Sequence, residues 1–153
     1  VWVTDYLANG QLRLREVGSI RSSTLTSSTV ALLGDTARLS EVQLAYGSEL
    51  TLTLTWQVLK PLHSDDTIFV HHWRDGAFVN AYDGDSLDGL IPLSAWQAGN
   101  EVIDMRHLPL ANFDPVRDEL RVGIYNRMSG VRYPAFDGQG QRLPDDAITI
   151  KPQ

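Results

Sequence analysis

The groups that could do chemistry in this chain are histidines and carboxylates, because its 153 residues hold four histidines and nineteen acidic residues but no cysteine. Without a thiol there is no disulfide, no thiolate metal site and no cysteine nucleophile. His71 and His72 look like a metal pair. Adjacent side chains on a strand point to opposite faces, so one is expected at the core and the other toward solvent. His63 with Asp65 and Asp66 reads as a polar turn. Asp83, Asp85 and Asp88, followed by Gly89, give an oxygen-rich loop of the kind calcium prefers. Their spacing misses the helix-loop-helix calcium pattern by one position and lacks its closing glutamate, so an ordinary acidic turn is the reading. No metal or other cofactor is expected, and folding should need none.

Enzymatic patterns are equally sparse. Glycoside hydrolysis needs two carboxylates roughly 5 to 10 Å apart across the scissile bond. Asp83, Asp85, Glu101 and Asp104 are acidic, but nothing in the sequence marks one as buried or paired. There is no Gly-Xaa-Ser-Xaa-Gly elbow, Ser129-Gly130 reads as a hairpin turn, and the twelve glycines sit at turn positions instead of forming a phosphate loop. The chain is therefore expected not to be an enzyme. Its thirteen aromatics have two uses, since flat rings fill cores and also stack on sugar faces. Trp56 shares a face with leucines and is assigned to the core. The candidate ligand-binding residues are those near loops, namely Trp73, Tyr82, Asp83, Asp85, Trp96 and Tyr133.

The elements that must position them are strands. Leu50, Leu52, Leu54, Trp56 and Val58 alternate with Thr51, Thr53, Thr55 and Gln57, the period of a half-buried strand, which Pro61 ends. Ile68–Trp73 leads through Arg74-Asp75-Gly76 into Phe78–Tyr82, an antiparallel hairpin. Further runs are Val30–Leu33, Val42–Leu44, Val102–Leu108, Leu120–Tyr125, Val131–Tyr133 and Ala147–Ile150, with Pro92–Ala98 a short helical turn. At the front, Trp2–Tyr6 and Leu12–Val17 flank Asn9-Gly10, a strong hairpin signal. Seven of the eight residues from Ser22 to Thr29 are Ser or Thr, which makes 22–29 a loop, or a linker between an N-terminal hairpin in 1–21 and the main body. The expected fold is all-β, an antiparallel β-sandwich of about seven to nine strands in one domain over 1–153, immunoglobulin-like or jelly-roll in topology.

Composition narrows the function classes. Thirteen basic residues against nineteen acidic give a net charge of -6, which repels a phosphate backbone, so nucleic acid is not an expected partner. No apolar run approaches the roughly 20 residues of a membrane-spanning helix, so direct insertion of this segment is not expected. Val1 stands where an initiator methionine would, and Val1–Tyr6 has no signal-peptide pattern, so the chain reads as a piece of something longer.

One ordered set of motifs is familiar. Gly47-Ser48-Glu49-Leu50 running to Trp56-Gln57, then Phe69-Val70-His71, Trp96-Gln97-Ala98-Gly99-Asn100-Glu101-Val102-Ile103-Asp104, Val122-Gly123-Ile124-Tyr125-Asn126 and Tyr133-Pro134-Ala135-Phe136-Asp137 span roughly residues 30 to 150. Together they resemble a β-sandwich module at the C-terminal, extracytoplasmic end of large bacterial membrane proteins of the glycosyltransferase type, notably in filamentous green bacteria. The resemblance implies architecture and location more than chemistry. One segment departs from it: Asp83-Gly84-Asp85-Ser86 is followed by Leu90-Ile91-Pro92-Leu93-Ser94, where similar modules carry Gly-Xaa-Tyr-Pro-Thr before the tryptophan. The expected function is a non-catalytic, extracytoplasmic accessory module of a membrane-anchored protein that binds carbohydrate. The alternative is a structural or protein-interaction domain of the parent protein, its loop aromatics packed on the remainder of that parent; a glycosidase or esterase is a distant third.

Overall fold

The alternation from Leu50 to Val58 sets the centre of the molecule. In the computed structural model, which describes residues 1–6, 10–22, 30–110 and 112–151, Leu50, Leu52, Leu54, Trp56 and Val58 are buried to within 1% of full enclosure, while Thr51 and Thr53 on the other face are half-buried. The described residues form twelve strands: β1 (Trp2–Tyr6), β2 (Leu12–Glu16), β3 (Gly18–Ser22), β4 (Ala31–Leu33), β5 (Ala37–Tyr46), β6 (Leu50–Val58), β7 (Asp66–Arg74), β8 (Ala77–Ala81), β9 (Asn100–Leu108), β10 (Asp118–Asn126), β11 (Ala135–Asp137) and β12 (Ile148–Ile150). Among the described residues helical structure is confined to single turns at Leu93–Ala95, inside the expected 92–98 segment, and at Pro144–Asp146.

The strands assemble into an antiparallel β-sandwich. One sheet has six strands in the order β11-β4-β5-β6-β9-β3, the other has four in the order β12-β10-β7-β8, and β1-β2 form a separate hairpin. After β6 the chain passes to the four-stranded sheet for β7 and β8, returns for β9, and crosses again for β10, so the layers are tied together repeatedly along the sequence. Leucines of β6 and Leu39 of β5 meet Ile68 and Val70 of β7 and Leu120, Val122 and Ile124 of β10 in one continuous core. In register, Val70 faces Val122 and Ile68 faces Ile124. The β7-β8 turn uses the residues expected for it, with Asp75 at φ 51° and Gly76 at φ 77°, the positive pair that matches the twist of a two-residue hairpin.

Four sequence expectations are revised, the first being the number of strands, twelve among the described residues in place of about seven to nine. Val131–Tyr133 is not a strand: Arg132 forms an isolated bridge to Tyr125 and the chain turns away at Pro134. Val42–Leu44 is only the middle of β5, which runs for ten residues. Residues 18–21, grouped above with the N-terminal hairpin, together with Ser22, the first residue of the 22–29 segment, form β3 and pair with β9 at the edge of the large sheet. Val17 just before them is fully buried and its carbonyl accepts Met105 N–H. Asn9 and the 23–29 stretch lie outside the described residues.

Gly18 marks the entry to β3. Its φ is 133°, and a Cβ there would stand 1.9 Å from the Ile103 carbonyl oxygen. Gly84 has open space around its own Cβ position and no positive φ. Gly18→Ala should therefore cost about 2 to 3 kcal/mol in urea unfolding, while Gly84→Ala should stay within about 0.5 kcal/mol.

Candidate functional site

The outer face of the four-stranded sheet carries the largest concentration of chemistry. Because side chains alternate, β7 sends Ile68, Val70 and His72 inward and Thr67, Phe69, His71 and Trp73 outward. His71 and His72 are thus divided between the faces, as adjacent strand residues must be. On the outer face Phe69 lies 5.0 Å from the His71 ring and 6.3 Å from Tyr125, and Phe78 of β8 meets both His71 and Trp73 edge-on at 5.6 and 5.9 Å. Two guanidinium groups cover this aromatic strip, Arg121 at 3.8 Å over Trp73 and Arg132 at 4.3 Å over Phe69. Among the described residues no second sheet packs on this face, although the Pro144–Asp146 turn reaches it, with Asp146 O 3.1 Å from the Cβ position of Gly123, and Phe69 is only 1% exposed. Gly123 makes that possible, since a Cβ there would fall 2.5 Å from the Phe69 ring.

At one end of the strip a recess of about 240 Å³ is lined by Phe69, His71, Asp83, Tyr125, Gly130 and Arg132. Asp83 is its polar hub. One carboxylate oxygen accepts the Val70 backbone N–H at 3.1 Å, and His71 Nε2 approaches the carboxylate to 3.2 Å. Burial, followed by the neighbouring Asp83 carboxylate, pushes the Tyr125 phenol above its ordinary range. Phe78, 54% exposed, stands at the rim through its contact with His71. The arrangement sets a flat apolar ring beside a carboxylate, an imidazole and a phenol.

Of the sequence candidates, Trp73 and Asp83 belong to this face. Asp85 lies further along it, accepting the Thr67 hydroxyl at 2.9 Å with Arg127 at 3.6 Å. Tyr82 does not join them; it packs partly against the core near Arg106 and His72. Trp96 is corrected from loop platform to core: it is 1% exposed, its ring lies 6.1 Å from that of Trp56 at a tilt of 40°, and it donates Nε1–H to Ser86 Oγ at 3.0 Å. Tyr133 is likewise a brace, its hydroxyl donating to the buried Asp66 carboxylate, which also takes His63 N–H; its own phenol is pushed up first by burial and then by Asp66. Phe78, Tyr125, Arg121 and Arg132 were not among the candidates, although their register on β8, β10 and the 129–133 turn is what completes the face.

The acidic residues do not converge. Asp83 engages His71, Asp85 engages Thr67 and Asp88 engages Arg15, three separate directions. Among the described residues no three His, Cys, Asp or Glu side chains are grouped to hold a metal ion. Glu101 and Asp104 lie on opposite faces of β9, the first against Arg21 and the second against Arg106.

Beneath the same strands, Asp118 is a fully enclosed carboxylate. Arg74 donates to both of its oxygens at 2.6 and 2.7 Å, Asp114 N–H adds a third bond at 2.6 Å, and His72 Nε2 lies at 3.0 Å. The Arg74 guanidinium, against the opposing effect of burial, holds the Asp118 carboxyl well below the usual carboxylate range. A depressed folded-state value means that the stabilisation is complete above about pH 4 and drains away as pH falls through the folded value. Asp118→Asn should remove that part of the acid dependence and cost about 3 kcal/mol at neutral pH, read from urea midpoints between neutrality and strong acid. Compared with known protein families and with curated proteins, the chain matches no family model and no curated sequence.

Proposed function

We propose that this chain is a non-catalytic accessory module that binds a glycan on the outer face of its four-stranded sheet, as an extracytoplasmic part of a membrane-anchored protein. The observation that carries the reading is the placement of Phe78 beside His71 and the Asp83–Tyr125 recess. A sugar ring offers apolar C–H faces and an equator of hydroxyls, and binding it takes a flat ring with convergent acceptors and donors next to it. Support for a non-catalytic role comes from the carboxylates themselves. Asp83 and Asp85 each accept a hydrogen bond from a neighbour within the fold, Val70 N–H and the Thr67 hydroxyl, an acceptor role that suits gripping hydroxyls. The extracytoplasmic setting rests on the sequence resemblance.

The second reading, protein docking, has its own observation. β8 is the edge of its sheet, all five of its residues are exposed, and it presents Phe78 and Val79 at 54% and 51% exposure. Unblocked apolar edges are where other chains add. The test separates the two. Titration of a glycan panel should shift tryptophan emission through Trp73, with dissociation constants near millimolar because a shallow face encloses little of its ligand. Phe78→Ala and Asp83→Asn should each weaken that binding about tenfold or more while thermal melting stays close to wild type. No response to any glycan, together with concentration-dependent self- or partner association lost in Phe78→Ala, would favour docking.

A further inference from the structure

Several arginines of this chain hold a carboxylate by the same edge of the guanidinium. Arg74 donates Nε–H and Nη2–H to the two oxygens of Asp118 at 2.6 and 2.7 Å, and Arg142 donates the same pair to Asp146 at 2.9 Å each. That edge is a planar fork matched to the two oxygens of a carboxylate. Arg132, which lines the recess of the outer face, differs. Its guanidinium lies over the Phe69 ring, its Nη1 donates to the Asp145 carbonyl at 2.7 Å, and its backbone bridges to Tyr125. Its Nε and Nη2, the fork itself, have no hydrogen-bond partner among the described residues and are not enclosed. The carboxylates of the turn beside it are directed to other cations, Asp146 to Arg142 and Asp145 to Arg121 at 3.9 Å. A cation held in place with its fork open to solvent is preorganised to take an anion.

We infer that the glycan residue taken by this recess is a sugar acid, a pyranose whose carboxylate docks on the Arg132 fork; this rests on the glycan-binding reading of the face and names its class of sugar. Two kinds of chemistry line the recess. Arg132 supplies a permanent cation, while Asp83, with His71 and Tyr125 beside it, supplies partners for hydroxyls. A sugar acid carries both complements on one ring, together with an apolar face for Phe78 at the rim. A neutral sugar offers the fork only hydroxyl and ether oxygens, and charge-assisted paired bonds are the stronger ones. The charge count selects among anions. One guanidinium balances one negative charge, and the Asp83 carboxylate repels any excess, so a singly charged carboxylate fits where a phosphate ester nearing two charges does not.

The direct test is nitrogen NMR on the intact chain at low ionic strength. The backbone amides of Val70 and Tyr125 report any sugar in the recess, and the Arg132 Nε–H reports the fork. Glucuronate, galacturonate, their neutral parents glucose and galactose, and glucose 6-phosphate are added in turn. At least one sugar acid should move Arg132 Nε–H saturably, with an apparent dissociation constant about tenfold below that of its neutral parent. Arg132→Gln should bind acid and neutral parent alike; if that variant does not fold, Arg132→Lys, which keeps the charge but not the fork, should lose most of the preference. Equal binding of acidic and neutral sugars by the wild type, or tighter binding of glucose 6-phosphate than of either acid, would overturn the inference and leave the glycan reading standing. A preference for the acid that survives in the Arg132 variant would overturn it as well. Silence toward every sugar would overturn the inference and the glycan reading together.

Discussion

The arrangement of the candidate face depends on one buried ion pair. Asp104 and Arg106 stand on the inner face of β9, in register with Leu54 and Leu52, where a sandwich ordinarily places hydrocarbon. Asp104 is fully buried and accepts Arg106 Nε at 2.8 Å and Leu87 N–H at 2.8 Å. Taking two charges out of water carries a penalty that their attraction offsets only when the remaining donors and acceptors are also satisfied. Arg106 meets that condition by reaching the carbonyls of Tyr82, Gly84 and Asp85 at 3.4, 2.8 and 3.4 Å. The large sheet thus holds the backbone of the segment that ends the small one. With those carbonyls turned inward, Asp83 and Asp85 project to the outer face, onto His71 and Thr67. Leu87, at φ 54° and fully buried, and Ser86, which bonds Trp96 and Ile91, extend the same anchorage to the core.

The outer face is built by a different economy. With no second sheet packed on it among the described residues, this face is covered by long side chains, one from β10 and one from the 129–133 turn. Arg132 over Phe69 and Arg121 over Trp73 lay their planar groups on rings that water would otherwise wet, while Arg121 also donates to the Glu119 carboxylate at 2.8 Å and Arg132 to the Asp145 carbonyl at 2.7 Å. These caps occupy the ring faces of Trp73 and Phe69, so the aromatic surface left open for stacking is that of Phe78. The same caps leave the recess between Phe69, Asp83 and Tyr125 as the place where hydrogen-bonding groups gather.

Strand identity was legible wherever burial imposed alternation, as in Leu50–Val58, because period two leaves a clear trace when one face is apolar. β3 was not legible. Gly18, Ser19 and Ser22 are poor strand formers, and their pairing with β9 is a tertiary outcome invisible to local pattern. The face of Trp73 and Asp83 could be anticipated only in part. Trp96 and Tyr133 looked alike near loops, and what separates them from a platform is partners distant in sequence, Ser86 and Asp66. Arg106 carried no signal at all, since a charged residue within an alternating run reads as solvent-facing. Asp104, two positions before it, shares its parity, so both charges fall on the buried side together.

Amide hydrogen exchange on Arg106→Lys measures this dependence most directly. Lysine keeps a positive charge near Asp104 but lacks the fork that spans three carbonyls. Val70 N–H, which Asp83 accepts, and Gly84 N–H, which bonds Ile68 O, are the reporters, against the β7-β10 ladder as an internal reference. The account predicts that both reporters lose protection by about tenfold or more while the ladder keeps its own. Retained protection at Val70 and Gly84 in a folded Arg106→Lys chain would contradict it.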